Sequence, residues 1–254
     1  MRILKNKMSL TKKNLREKEF HNRLQSKSKE RFEGIFYKAL YKSTEDFFQF
    51  LQTNTVNSEV LDYGCGVGVS LEKVINFHPK KITGIDISEV SIQKAKDKIK
   101  GFENKVELMV DNCEKTKFSD NKFDIVYGSG ILHHLDLSKC LKEIYRILKP
   151  SGFLLFIEPL GTNPIINLYR KLTPNSRSKD ERPLNVKDFD LMSKNFKNIK
   201  LKYYGFLTLI FLPFYRQPDN SVIYKFLQSI DQFLFKFNIF KKLAWSVLIS
   251  AEKN

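Results

Sequence analysis

Residues 60–68 read Val60-Leu61-Asp62-Tyr63-Gly64-Cys65-Gly66-Val67-Gly68. A short apolar run, of the kind that forms a buried strand, breaks into three glycines spaced by single residues. Glycine tolerates positive φ and lets another group come close to the backbone. A strand that ends in such a turn and opens a helix suits a nucleotide or nucleoside ligand. Two ligand classes fit poorly. A dinucleotide turn of the form G-x-G-x-x-G needs its third glycine at position 69, which is Val69. No G-x-x-x-x-G-K-[ST] follows, so a phosphate-cradling loop is not supported either.

Working outward, short apolar runs alternate with helix-like segments. Strands are expected at Glu59–Asp62, Lys81–Asp86, Val106–Val110, Phe123–Tyr127, Phe153–Ile157, Ile199–Tyr204 and Leu243–Ser250. Helices are expected at Val69–Phe77, from Ser88 to about Lys100, at Leu137–Leu148 and at Val186–Asn195. This alternation predicts an α/β fold with a mostly parallel seven-stranded sheet and helices on both faces. Upstream, Leu15, Phe20, Leu24, Phe32, Ile35, Phe36, Leu40, Phe47, Phe48 and Leu51 fall at helical spacing. Downstream, Phe206–Phe240 is strongly aromatic, with helical spacing from Ser221. The reading is a loose basic leader at 1–13 and a single domain at 14–254. Within that domain lie an N-terminal helical lid at 14–52, a ligand-binding core at 55–160 and insertions at 160–185 and 206–240.

The glycine run resembles the first motif of class I S-adenosylmethionine-dependent methyltransferases, and later features agree in order. Gly84-Ile85-Asp86-Ile87-Ser88 resembles the end of their second strand, whose acid holds the ribose hydroxyls. Asp111-Asn112-Cys113 follows the third strand, where these enzymes contact adenine. Phe123–Tyr127 and Gly130-Ile-Leu-His133-His134-Leu135 resemble their fourth strand and the loop after it, and Leu148-Lys-Pro-Ser-Gly152 their turn into strand five. The resemblance covers residues 55–160. It implies a Rossmann-like fold, S-adenosyl-L-methionine as cofactor, and contacts from His21, Asp62, Gly64, Cys65, Gly66, Gly68, Asp86, Ile87, Asp111, Asn112, Cys113 and Ser129. Charge agrees: a carboxylate can accept two hydrogen bonds from a vicinal diol, and Asp62 beside the turn repels phosphate but not a cationic sulfonium.

Methyl transfer from a sulfonium is an in-line displacement, so the protein chiefly aligns the acceptor and excludes water. A hydroxyl or acidic carbon also needs a general base. His133, His134 and Glu158 sit where the carboxyl ends of the strands place an acceptor. These three are the catalytic candidates, with one histidine as base and Glu158 orienting the acceptor or making a turn. Arg16–Asn22, containing Phe20 and His21, resembles a lid over the methyl group, or is a plain amphipathic helix. Segment 158–183 resembles an insertion of small-molecule enzymes of the quinone-biosynthesis type. Its Arg170, Arg177 and Arg182 either bind an acidic acceptor or hold the loop together. The aromatic stretch covers the acceptor side as a packed cap, an apolar pocket, a dimer face or an interfacial helix edged by Lys225, Lys236, Lys241 and Lys242.

The formal charge is +16, and residues 1–31 carry eleven Lys/Arg against three Glu. Such a block attracts nucleic acid or anionic lipid, or is merely solvated. Base-amine methyltransferases show N/D-P-P-Y/F after strand four, where this chain has Gly128-Ser-Gly-Ile-Leu-His. No cysteine stands in the P-C context of cytosine-C5 enzymes. A small-molecule acceptor, lipid- or glycan-linked, is therefore expected ahead of nucleic acid, with contact to an anionic membrane surface as a further expectation. A non-catalytic binding module is the remaining alternative. Cys65, Cys113 and Cys140 lack any pairing or C-x-x-C pattern, which suits free thiols in a reducing, cytoplasmic setting. The histidines and cysteines show no ligand spacing in the sequence, so no metal site is expected.

Overall fold

The computed structural model describes residues 10–26, 35–174, 177–215 and 217–254. Seven strands form one sheet in the order β3-β2-β1-β4-β5-β7-β6. They are β1 (Glu59–Tyr63), β2 (Lys81–Asp86), β3 (Val106–Val110), β4 (Phe123–Ser129), β5 (Leu148–Pro159), β6 (Phe196–Tyr204) and β7 (Ser246–Lys253). Strands β1 to β5 pair in parallel, and β7 runs antiparallel between β5 and β6. The strand order reverses between β1 and β4, and a ligand crevice opens at the carboxyl ends of strands flanking such a switch.

Each face of the sheet buries its own core. Leu61, Tyr63 and Val126 point to one side, with Leu141, Ile144 and Ile147 of α5 (Leu137–Ile147) and Met192 of α7 (Val186–Met192). Val60, Ile125 and Tyr127 point to the other, with Phe47 and Leu51 of α2 (Tyr41–Asn54), Leu71 and Val74 of α3 (Val69–Val74) and Ile92 of α4 (Glu89–Lys98). Helix α5 shows why it forms. Its buried Leu137, Cys140, Leu141 and Ile144 recur at i, i+3, i+4 and i+7, and Asp136 caps it by accepting from the Lys139 amide.

Several boundaries differ from the expectations. The turn foreseen at 148–152 lies within β5 as a bulge: Phe123 pairs with Leu148 but Ile125 with Phe153, and Ser151 has φ +60°. The last strand starts at Ser246 rather than Leu243. The region 14–52 is not one lid. Helix α1 (Lys12–Ser26) lies over the carboxyl edge of the sheet, whereas α2 packs its Phe47 and Leu51 into the core. A 3-10 turn at Ile35–Leu40 precedes α2, and Phe32 lies outside the described residues. Of the leader at 1–13, residues 1–9 lie outside them too, and Lys12 already begins α1.

The aromatic region, for which helical spacing was expected only from Ser221, is built of several short elements. It forms α8 (Leu207–Ile210), a 3-10 turn at Leu212–Phe214, α9 (Val222–Leu234) and α10 (Asn238–Lys241), whereas the first insertion holds α6 (Pro164–Leu172). One carboxylate ties the aromatic elements together. Buried Asp231 of α9 accepts from the amides of Phe206, Leu207 and Thr208 and from the Thr208 hydroxyl, capping α8.

Candidate active site

The three glycines of the opening stretch serve different ends. All have positive φ: +77° at Gly64, +52° at Gly66 and +81° at Gly68. A Cβ on Gly64 would meet the Ile131 side chain at 2.5 Å, and one on Gly68 would meet Ala95 of α4 at 3.2 Å. Those two glycines let other parts of the protein approach. Around Gly66 a Cβ would find nothing within 4 Å, so this corner faces open space. Cys65 is buried, with its sulfur against Gly84 of β2, and is a packing group.

Two carboxylates flank the corner. Asp86, at the end of β2, accepts from the Gly66 amide at 3.0 Å and the Ser88 amide at 2.8 Å. Each oxygen so engaged keeps a second lone pair. Burial raises its pKa, and the amide bonds of Ser88 and Gly66 pull it back. Ile87 beside it is partly exposed. Asp62 is buried in β1, and its Oδ2 and the hydroxyl of Tyr127, its register partner on β4, interact with each other short of full hydrogen-bond geometry. Burial pushes the Asp62 carboxyl up to about 8, with Tyr127 opposing the rise and Asp86 adding to it. Leaving such groups short of full pairing is costly, which marks this spot as built for something more than packing.

At the end of β3 the structure departs from the expected roles. Asp111 is fully buried and its two oxygens accept from the amides of Asn112 and Lys117, so it builds a turn rather than facing the crevice. Asn112 accepts from the Glu114 amide and reaches Asn14 of α1 at 3.4 Å. Cys113 is buried, and its carbonyl accepts from the Tyr63 hydroxyl. Ser129, by contrast, is exposed at the end of β4.

Beyond β4, Glu158 corrects another expectation. It is fully buried, and its oxygens accept from the amides of Ile131 and Leu132 at 2.9 and 2.8 Å and from Nδ1 of His133 at 2.7 Å. It caps the 3-10 turn Leu132–His134 and orients His133, with no surface left for an acceptor. Burial, then His134, lowers the His133 pKa, against the pull of Glu158. The rings of His133 and His134 lie 4.1 Å apart between centroids.

Helix α1 closes over these histidines through polar contacts. Its only buried side chains are Asn14 and Glu17. Arg16 makes a two-pronged bond to Asp180, Ser178 donates to Glu17 Oε1, Lys18 pairs with Glu89, and Asn22 accepts from Ser88. Glu17 Oε2 lies 3.1 Å from His134 Nδ1 and 3.7 Å from His21 Nε2. Glu17 Oε2 and His134 Nδ1 pair as ions without meeting full hydrogen-bond geometry. His21 is partly exposed and sits edge-on to His134, with ring centroids 5.2 Å apart. Burial works to raise the Glu17 pKa, but His134 and the Ser178 hydroxyl hold it below the usual carboxylate value.

The arginines of the first insertion mostly hold the loop. Arg182 pairs with Asp188 at 2.7 Å, Arg177 bonds the carbonyls of Arg170 and Thr173, and Arg170 bonds the Leu160 carbonyl and Asn167. Arg170 is pushed down to about 10, burial being the main cause. Sequence reasoning missed Glu17, Tyr127 and Glu181. The first had a local signal, since Glu17 and His21 are four apart on one helix and share a face. The structure also gathers ligand-type atoms that the sequence separates: those of Glu17, His21 and His134 lie within 4.8 Å of one another, as do those of His133, His134 and Glu181.

The chain matches the Methyltransferase domain family over residues 61–156. It is 32% identical over 124 residues to a cycloartenol-C-24-methyltransferase of Oryza sativa subsp. japonica, covering 48% of this chain and 36% of that protein. It is 33% identical over 104 residues to a demethylmenaquinone methyltransferase of Bacteroides fragilis, covering 39% and 42%. The chain thus spans well under half the length of the curated relatives it matches. Among solved structures, the geranyl diphosphate C-methyltransferase of Streptomyces coelicolor, in complex with Mg2+, geranyl diphosphate and S-adenosyl-L-homocysteine, superposes with a TM-score of 0.67. The match covers 96% of this chain and 99% of that one at 14% identity, a likeness of fold.

Proposed function

We propose that this chain, which carries a class I methyltransferase domain across residues 61–156, moves a methyl group from S-adenosylmethionine onto a small-molecule acceptor. The observation that carries this is the open corner at Gly66 between Asp62 and Asp86, beside which buried Asp62 Oδ2 and the Tyr127 hydroxyl interact only short of full hydrogen-bond geometry. The residues fit the donor. Asp86 has acceptor capacity for the ribose hydroxyls, Gly66 admits close approach, and Asp62, protonated up to about 8 by burial, would supply negative charge once a cationic centre beside it draws its proton off. When bound, the donor brings an activated methyl that transfers by in-line displacement.

The chain's own residues then align, enclose and deprotonate. Helix α1 covers the crevice and excludes water, with His21 over the histidine pair. Glu158 fixes the turn that carries His133 and His134, and through Nδ1 it sets which nitrogen of His133 holds the proton. An acceptor hydroxyl or acidic carbon would lose its proton to a histidine of this pair.

The acceptor side supports a lipid- or glycan-linked substrate met at a membrane. Val222, Phe226 and Phe214 are 81%, 65% and 67% exposed, and with Phe211 and Ile223 they line an apolar groove. Exposed Lys225, Lys236 and Lys242 edge this region, while one of its two acids, Asp231, is buried. Exposed aromatics with cations favour an anionic bilayer surface. Among the described residues, no helix is long and apolar enough to cross a membrane.

Donor binding is tested by melting. S-adenosylhomocysteine at about a hundred times its Kd should stabilise by about 2.7 kcal/mol, NADH should not, and Asp86→Ala should abolish the shift. A full shift in the variant removes the ribose assignment, and stabilisation by NADH alone removes the donor. Co-sedimentation with vesicles containing phosphatidylserine should retain the protein and Phe226→Ser should release it; no retention ends the membrane reading.

A further inference from the structure

The pair Glu17 and His134 poses a problem that the methyl-transfer reading does not solve. Glu17 is 5% exposed and His134 6%, and the facing atoms Oε2 and Nδ1 are both buried, paired with each other as ions but short of full hydrogen-bond geometry. They lie 3.1 Å apart, yet off the line a hydrogen bond requires. With a ligand-type atom of His21 these two lie within 4.8 Å of one another, close enough to share one ion. His21 Nε2 lies 3.7 Å from the same oxygen. Ligands about 2.0–2.2 Å from a tetrahedral zinc are separated from one another by roughly 3.3 Å, the range these distances straddle.

We propose that Glu17, His21 and His134 form a binding site for a borderline divalent cation of the zinc class, bridging helix α1 and the 3-10 turn after β4. Two imidazoles and one carboxylate select such an ion over Mg2+ or Ca2+, which take oxygen ligands. Three protein ligands leave a coordination position open, the arrangement of a site that also takes water or substrate.

The surroundings support the ligand set. Ser178 donates to Oε1 of Glu17, leaving Oε2 as the single ligating oxygen. Neighbouring cations are committed elsewhere, Arg16 to Asp180 and Lys18 to Glu89. Ligand-type atoms of His133 and Glu181 also lie within 4.8 Å of one of His134, near enough to act as outer partners of a metal-bound imidazole. The ligands come from two segments, so the ion would pin the lid. Its test needs neither donor nor acceptor.

The test is calorimetric titration of Zn2+ into the untagged, chelator-stripped full chain. One ion per chain should bind, and His21→Ala and Glu17→Gln should each weaken it roughly tenfold or more. His21 is partly exposed on a surface helix, so its variant tests the site even if a His134 variant fails to fold. Hydrogen exchange across residues 12–26 should slow with Zn2+, and the Co2+ form should show nitrogen and oxygen ligation. Absence of heat, binding that survives both variants, thiolate bands in the Co2+ spectrum, or unchanged exchange of α1 each overturns the proposal. Failure here with a retained S-adenosylhomocysteine shift leaves the donor reading intact.

Discussion

The proposed donor corner and the proposed acceptor side are built in opposite ways. The corner is local: Asp62, Gly64, Gly66 and Asp86 come from two adjacent parallel strands, and backbone conformation carries the geometry. The acceptor side is assembled from segments far apart in the chain. Ser178 meets Glu17 across 161 positions, and Asp180 meets Arg16 across 164. A corner made of backbone tolerates few residue types and so leaves a motif. A surface made of long-range side-chain pairs can be satisfied in many ways and leaves none.

The largest expected effect separates the two regions directly. Asp231→Ala strips α8 of three amide partners and the Thr208 hydroxyl of its acceptor. Removing a buried carboxylate that serves several donors should cost about 3 kcal/mol. Hydrogen exchange should then quicken across 206–240, while the S-adenosylhomocysteine shift persists. Loss of that shift would mean the aromatic cap and the donor corner fold as one unit, and the contrast drawn between them would fail.

What could be read from sequence follows the same division. The seven strands and the corner were legible because strand burial and glycine spacing are properties of adjacent residues. The order of β7 between β5 and β6 was not, since pairing partners leave no trace in spacing. Asp111 and Glu158 had the right residue type at the right strand end, yet their oxygens turn inward to backbone amides. Sequence position shows that a carboxylate stands at an edge; only the fold shows which way it faces. Arg177 and Arg182 taught the same lesson, with their charge directed to Glu181 and Asp188. The cluster of Glu17, His21 and His134 was invisible because its third member lies in another segment.

An effect of the same order tests whether the corner is built for binding rather than for stability. An unfolded aspartate loses its proton near 3.8, whereas Asp62 in the fold holds it up to about 8. The folded state therefore keeps a proton that the unfolded chain has released throughout that window. Its stabilising contribution is complete below about pH 4 and is lost as pH rises through about 8, and Asp86, raised by burial as well, acts in the same direction. Asp62→Asn removes the titrating group, so the variant should gain on the parent as pH rises from 5 to 8. One pKa unit corresponds to about 1.4 kcal/mol, and each 1 kcal/mol moves melting by about 2–4 °C in a chain near this size. The same variant should bind the sulfonium donor more weakly, most of all at high pH, where the parent carboxylate is charged. Parallel melting curves for the two proteins across pH 5–8 would mean that Asp62 is solvated or paired in solution, and the corner would then hold no buried proton for a cation to draw off.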